Sequence, residues 1–205
     1  MKIFITGIGT DVGKTIVAAI VTEALQADYW KPIQSGDLDN SDTDKVQRLV
    51  SNSTSQFFEN AFALQMPASP HLSAKMEDVT IELNKIKEPK TQNHLVIEGA
   101  GGVFVPLNHT DCVIDLIQED YKTIVVSRHY LGSINHTLLT VEALRHRNIT
   151  ISGIVFSGDE NASSEDIILK KTGLKMIGRI ATEPYFDKNV IKDYADLFSN
   201  NLLHL

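Results

Sequence analysis

An α/β architecture, a mostly parallel central sheet with helices on both faces, is the expectation for this chain of 205 residues. Short β-branched apolar runs recur along it, several without polar alternation, as strands buried on both sides require. Longer amphipathic stretches lie between them, and strand–helix–strand alternation implies parallel pairing through right-handed crossovers. A glycine-rich turn joins the first apolar run to the first helical stretch.

In chain order, strands are expected at Lys2–Thr6, Tyr29–Ile33, Leu95–Ile97, Thr123–Val126, Ile151–Phe156 and Met176–Ile180. Helices are expected at Lys14–Ala27, Thr43–Val50, Ser133–Arg147, Asp166–Lys171 and Asn189–Asn200. Val46, Leu49 and Val50 share one face of the second, and Ile134, Leu138 and Val141 stack along the third. The stretch from Ser51 to Lys90 is less regular and contains Pro67, Pro70 and Pro89; a helix is expected near Asp78–Lys87. No repeat, low-complexity tract or linker interrupts the pattern, so residues 1–205 are expected to form one domain. Ligands of such sheets bind at the carboxyl ends of strands, which directs attention to the loops just after them.

Composition narrows the function classes. With 42% hydrophobic and 22% charged residues, the chain reads as an ordinary globular protein. Nineteen Lys and Arg against 26 Asp and Glu give a net charge of −7, which argues against nucleic acid or an anionic membrane as partner. The single cysteine, Cys112, cannot close an internal disulfide. No apolar run approaches the roughly 20 residues of a membrane span. The opening Met1–Thr6 is too short for the apolar stretch of a signal peptide. A cytoplasmic protein is expected.

The strongest chemical signal is Gly7-Ile8-Gly9-Thr10-Asp11-Val12-Gly13-Lys14-Thr15, which follows a strand and opens a helix. That is the context of a phosphate-binding P-loop. Successive backbone N–H groups and the positive end of a helix dipole converge there on an anion. Gly13 lets the backbone approach, Lys14 adds a mobile charge, and the Thr15 hydroxyl can ligate Mg²⁺. The spacing departs from the strict form, since Ile8 stands five residues before Gly13 and the first glycine comes one residue earlier. Asp11 would repel phosphates; it either points to solvent or faces a cationic ligand beside the γ-phosphate.

Leu95-Val96-Ile97-Glu98-Gly99-Ala100-Gly101-Gly102 reads as an apolar strand ending in a carboxylate, like a Walker B strand with Glu in place of Asp. Glu98 is therefore a candidate for one of the few carboxylates that Mg²⁺ on ATP accepts. Asn40-Ser41-Asp42 precedes an amphipathic segment, and a helix cap and a metal ligand fit it equally. Lys31, inside the second expected strand, is costly to bury without an anion. Either that strand is an edge, or Lys31 faces bound phosphate or a substrate anion.

Taken together and in order, these motifs resemble the dethiobiotin synthetase family, ATP-dependent ligases that close the ureido ring in biotin synthesis. The likeness runs through Thr6-Gly7…Thr10–Thr15, Lys31-Pro32…Ser35-Gly36, Asn40-Ser41-Asp42, Ser69-Pro70-His71, Glu98–Gly102…Pro106-Leu107 and Leu131-Gly132-Ser133-Ile134-Asn135-His136. The resemblance implies a P-loop NTPase-like fold and the joining of 7,8-diaminononanoate, CO₂ and ATP into dethiobiotin, ADP and phosphate. It implies that Lys14 and Lys31 are the catalytic pair holding carbamate and γ-phosphate, with Mg²⁺ on Thr15, Asp42 and Glu98. Nucleotide contacts would come from Asp11, Val12, Gly13, Lys14, Thr15 and Ile16, from Asp42, and from Glu98, Gly99, Ala100 and Gly101. Ser157, Ala181, Thr182 and Glu183 would complete that set. Asp11 and Ser35 would bind the diamine substrate. Gly132, Ser133 and Asn135 would receive its carboxylate at a helix N-terminus across a homodimer interface. By itself that segment reads as a surface helix capped by Ser133.

The pattern departs from the family in two places. Ser157-Gly158 stands where Asn-Asp is usual, and Ile180-Ala181 where Ile-Pro is usual. Ser157 is too short for the bidentate amide contact that Asn makes with adenine. Weaker discrimination between ATP and other triphosphates is therefore expected. Rival readings are a cobyrinic-acid-amidase-like ligase, a partition-type ATPase, or a nucleotide-binding protein without catalysis. Partition-type ATPases carry a signature lysine where this chain has Gly9, and 205 residues leave no room for an amidase's glutaminase domain. A sensor would have dispensed with Lys31, Asp42 or Glu98, and all three are present.

Overall fold

The computed structural model describes residues 1–205. Its elements, in order, are β1 (Lys2–Gly7), α1 (Lys14–Leu25), β2 (Asp28–Trp30), β3 (Ile33–Ser35), α2 (Asp42–Leu49), β4 (Phe57–Phe58) and β5 (Phe62–Leu64). There follow α3 (Pro70–Met76), β6 (Leu95–Gly102), β7 (Tyr121–Arg128), α4 (Ser133–His146), β8 (Ile151–Ser157), α5 (Ala162–Thr172), β9 (Met176–Ile180) and α6 (Lys188–Leu203). Seven strands form one sheet in the order β4-β2-β6-β1-β7-β8-β9. Every pairing in it is parallel. No helix is long and apolar enough to cross a membrane.

The absence of alternation in the strands has the expected cause: both faces of the sheet are covered. One face packs Ile3, Ile5, Val96 and Val126 against Val17 and Ile20 of α1 and Ile191, Phe198 and Leu202 of α6. The other packs Phe4, Ile97, Val125 and Phe156 against Leu144 of α4 and Ile168 of α5. β1 lies at the centre, flanked by β6 and β7, so the loop after it opens between the two halves of the sheet. That is where open α/β sheets bind ligands.

Several elements differ from expectation. The second strand is not continuous over Tyr29–Ile33: β2 ends at Trp30, and β3 pairs separately with β5 in a two-stranded sheet. Pro32 has no N–H to continue a ladder, and the residue before a proline is held extended. Lys31 therefore sits at a strand end, and β2 is not an edge strand, since β4 covers its outer side. No α-helix covers Asp78–Lys87; only a 3₁₀ turn at Leu83–Lys85 forms there. The helix of this region is α3, which starts with Pro70 in its first turn, a position that proline's fixed φ favours. β6 and β7 both run beyond the expected limits, so Glu98 lies within β6 and not at its end.

α5 begins at Ala162, where the Asn161 side chain accepts from Ser164 N, and α6 at Lys188, where Asp187 accepts from Asn189 N and Val190 N. Ser133 is not a cap: Gly132 occupies that position with φ 104°, and Ser133 begins α4 with its side chain buried.

Candidate functional site

The P-loop leaves the carboxyl end of β1 and enters α1 through Gly13, whose φ of 99° lies in the left-handed region. A Cβ at that position would come within 2.9 Å of Ser157 Oγ, so the turn admits only glycine without displacement. No side chain caps α1, which leaves the N–H groups of its first turn directed into the loop. Lys14 Nζ folds back to donate to Gly9 O at 2.8 Å. Burial lowers its pKa to about 8; nearby Lys31 pushes the same way, and Glu98 opposes them. Arg128 donates to Asp11 O at 2.8 Å and ties the loop to the end of β7.

On the β2–β6 side of the loop the charges interlock. Lys31 Nζ donates to Asp42 Oδ2 at 2.6 Å and to Glu98 Oε1 at 3.0 Å. Thr15 Oγ1 donates to the same Glu98 oxygen at 3.0 Å, and Tyr29 OH donates to Glu98 Oε2 at 2.8 Å. The Lys31 and Glu98 side chains are only 6% and 1% exposed, so the pair is a buried one, and its mutual satisfaction is what makes burial tolerable. Burial alone would depress the Lys31 pKa, but Glu98 and Asp42 outweigh it and hold the ammonium above the ordinary lysine range. Asp42 is likewise desolvated, yet Lys31 and Lys45 hold its carboxyl below the usual value.

Local sequence explains how Asp42 gets there. Ser41 is the helix cap: its Oγ accepts from Asp44 N, and Asp44 accepts from Ser41 N in return. Asp42, the first residue of α2, is thereby free to face the loop, while its own N–H donates to Gln34 Oε1 at 3.2 Å. Of the two roles weighed for this stretch, capping falls to Ser41 and facing the loop to Asp42.

Lys14, Thr15, Lys31, Asp42 and Glu98 line a cleft of about 720 Å³, which Tyr29 does not border. Asp11, Gly13, Lys14, Thr15, Ile16, Lys31, Ser35, Asp42, Glu98, Ala100 and Gly101 all border it, together with Pro67–Pro70 before α3. Ser35 Oγ is buried with no hydrogen-bond partner, an unmet polar group on the cleft wall. Val12 and Gly99 do not border it: Val12 is buried in the core beneath the loop, and Gly99 packs against Phe4. A second cavity of about 210 Å³ lies on the β8–β9 side and shares Asp11, Gly13 and Ile16 with the first. It gathers Ser157, Ala181, Thr182 and Glu183, along with Arg128 and Phe186. Gly132, Ser133 and Asn135 border neither; they form the N-terminus of α4, beside Leu131, which is fully exposed.

The donor set suits Mg²⁺, which prefers a few hard oxygen ligands and keeps several waters. Thr15 Oγ1, Asp42 and Glu98 supply such oxygens, and the Lys31 ammonium already stands between the two carboxylates as a cation among them. Sequence reading missed Lys45, which borders the cleft and bonds to Asp37 Oδ2 at 2.7 Å and Asp42 Oδ1 at 3.3 Å. Its spacing of three from Asp42 on a helix was the available signal. Gln34, Tyr29 and Arg128 were missed as well, and no local pattern marks them.

A family model described as an AAA domain matches residues 1–189. Among curated proteins, the ATP-dependent dethiobiotin synthetase of Christiangramia forsetii is 56% identical over 202 residues, covering 98% of both chains. That of Cytophaga hutchinsonii is 52% identical, covering 97% of this chain and 98% of its own. Among solved structures, the septum site-determining protein MinD of Pyrococcus horikoshii complexed with Mg-ADP matches with a TM-score of 0.58 at 13% identity. The match covers 99% of this chain and 93% of that one. A ParA family ATPase from Chlorobium tepidum also gives 0.58, at 14% identity, covering 94% and 96%. The structural likenesses speak for the P-loop NTPase-like α/β fold alone. The sequence relatives go further, at more than half identity over nearly the whole chain: the chain belongs to the ATP-dependent dethiobiotin synthetase family.

Proposed function

We propose that this chain joins 7,8-diaminononanoate, CO₂ and ATP into dethiobiotin, ADP and phosphate as a step of biotin biosynthesis. One amine of the substrate attacks CO₂, forming an N–C bond and releasing a proton to give a carbamate. A carbamate oxygen attacks the γ-phosphorus as the bond to the β–γ bridging oxygen breaks, and ADP leaves with that electron pair. The second amine then attacks the carbonyl carbon, phosphate departs, and the ureido ring closes with loss of a further proton. Phosphoryl transfer of this kind depends on positioning and on charge neutralisation.

Lys14 serves the γ-phosphate from within the loop, and Lys31 exchanges its carboxylate partners for the carbamate. Thr15, Asp42 and Glu98 would hold Mg²⁺, which when bound neutralises charge on the β and γ oxygens. Asp11 offers its carboxylate to a substrate amine, and the unpartnered Ser35 hydroxyl fits a hydrogen bond beside the carbamate. Ser157, Ala181, Thr182 and Glu183 line the cavity proposed for the nucleoside. Val12 and Gly99 would contribute backbone only. The N-terminus of α4, with Gly132, Ser133 and Asn135, is proposed to reach the substrate carboxylate of a second copy in a homodimer. The exposed Tyr130, Leu131 and Leu139 around it support that surface being covered. The protein is proposed to act as one domain, in the cytoplasm.

The observation that carries the reading is the buried Lys31, held by Asp42 and Glu98 at the mouth of a phosphate loop. A generic nucleotide binder has no use for a second cation sequestered there. The test is incubation with the diamine, bicarbonate and Mg-ATP. One dethiobiotin per phosphate released is expected. Phosphate release indifferent to the diamine would indicate a plain ATPase, and no release would indicate a sensor.

A further inference from the structure

Glu98 is almost fully buried, and its two oxygens have different partners. Oε1 takes Thr15 and Lys31, both of which border the cleft; Oε2 takes only Tyr29. The sheet register produces this division. β2 pairs in parallel with β6 so that Tyr29 stands opposite Val96, and Glu98 lies two residues farther along the same face. The Tyr29 ring is fully buried among the residues beneath α1, packs against Phe57 with centroids 6.3 Å apart, and presents its hydroxyl to Glu98 at 2.8 Å.

The two cleft-side partners are temporary under the reading proposed above, on which this inference rests. Lys31 must leave Glu98 to reach a substrate anion, and the Thr15 hydroxyl must turn toward a metal. A carboxylate that loses both is free to rotate about its last torsion, which is broad. Tyr29 is the partner that no ligand competes for, because it reaches Glu98 from the protein interior. We propose that Tyr29 is a positioning residue: its phenol pins Oε2 so that Oε1 stays directed into the cleft as a single metal-facing oxygen when Lys31 departs. Burying a phenol here has a cost unless the hydroxyl is bonded, and that bond is the one that orients the ligand.

The test is Tyr29→Phe, which keeps the ring and removes the hydroxyl. Binding of Mg·ADP is measured by calorimetry over a series of Mg²⁺ concentrations, without turnover. The half-saturating Mg²⁺ is expected to rise about tenfold, as for partners that orient metal ligands. The KM for the diamine is expected to stay within twofold while kcat falls. Phe57→Leu, which loosens the packing around the same ring without touching Glu98, is expected to lower the Tm and leave the Mg²⁺ midpoint unchanged. In a Glu98→Gln background, Tyr29→Phe is expected to add nothing to the Mg²⁺ midpoint, a coupling readable even if the single variant is poorly stable. A Tyr29→Phe protein with a lowered Tm and a wild-type Mg²⁺ midpoint would reduce Tyr29 to core packing. If wild type failed to make dethiobiotin but the midpoint still shifted, the function reading would fall and the positioning role would stand.

Discussion

On the β2–β6 side of the phosphate loop, Tyr29, Lys31, Asp42, Glu98 and Thr15 come from separate elements and are bonded to one another at 2.6–3.0 Å. On the β8–β9 side, the cavity is bordered by Ser157, Ile180, Ala181, Thr182 and Phe186 and by the longer Arg128 and Glu183, and no interlocked set of buried charges spans it. The two sides meet at Asp11, Gly13 and Ile16, so the contrast is drawn across a single loop. Charge transfer at phosphorus tolerates little misplacement, whereas holding a base needs only a surface to lie against. The network side is therefore where small changes are expected to have large effects, and the other side where they are expected to matter least.

The sharpest way to break that contrast is at Lys31. Lys31→Gln keeps a hydrogen-bond donor among Asp42 and Glu98 while removing the charge, so the neighbouring carboxylates are not left without any partner. The kcat for dethiobiotin formation is expected to fall on the order of 10²–10³-fold, by comparison with single transition-state donors. ATP affinity is expected to change by less than about fivefold, because the phosphate loop itself is untouched. A variant that retained most of its turnover would mean that the interlocked side is structural and that the chemistry lies elsewhere.

A second, smaller effect concerns pH and Lys14. Burial lowers this lysine to about 8 in the free protein, so it loses its proton well below the point at which an exposed lysine would. A bound phosphate favours the charged form, so nucleotide binding takes up a proton above pH 8. The sign follows: affinity for ATP is flat below pH 8 and weakens as pH rises, by up to about tenfold per unit. Stability runs the other way. Between about pH 8 and the ordinary lysine value of 10.5 the unfolded chain holds this proton and the folded one does not, so this group's burial penalty is relieved as pH rises through that window. Fluorescent nucleotide titration from pH 7 to pH 9.5 checks the first statement, with Lys14→Met as a weak binder lacking the alkaline loss. A slope shared equally by wild type and Lys14→Met would assign the titration to another group.

Sequence made the loop legible because its function is local: glycine, lysine and threonine act from consecutive positions at one strand–helix junction. Lys31, Asp42 and Glu98 were legible as single candidates: a lysine inside an apolar run, an acid at the start of a helical segment and a carboxylate closing an apolar run. That they bond to one another follows from β2 lying next to β6, an adjacency between segments more than sixty residues apart. Tyr29 was not legible at all, since its role exists only in that register. Arg128 was hidden for the same reason: it meets Asp11 because β7 flanks β1. The expected continuous strand over Tyr29–Ile33 failed on a signal that was present, the missing N–H of Pro32. The expected helix at Asp78–Lys87 overlooked proline's preference for a first turn, which put the helix at Pro70 instead.

The smallest expected effect lies on the β8–β9 side and concerns which base the enzyme accepts. Discrimination requires donors and acceptors in a fixed pattern along a base edge. Here the amides of Gly158, Ala181 and Thr182 already donate to Ile180 O, to Tyr194 OH and to Asp159 Oδ1. Glu183 Oε1 accepts from Tyr194 OH at 2.6 Å, and Arg128 is engaged with the loop. What remains on the cavity wall includes the Ser157 and Thr182 hydroxyls, and a hydroxyl donates or accepts as the partner demands. Such groups cannot tell an amino edge from a carbonyl edge, while Ile180, Ala181 and Phe186 offer apolar contact to any base. Dethiobiotin formation with GTP and CTP is therefore expected within about tenfold of ATP in kcat/KM, where one lost edge contact elsewhere would cost more. Thr182→Ala is expected to alter the ATP value less than threefold. A preference for ATP beyond a hundredfold would mean that this side, too, holds its ligand by a fixed network, and the asymmetry across the loop would be gone.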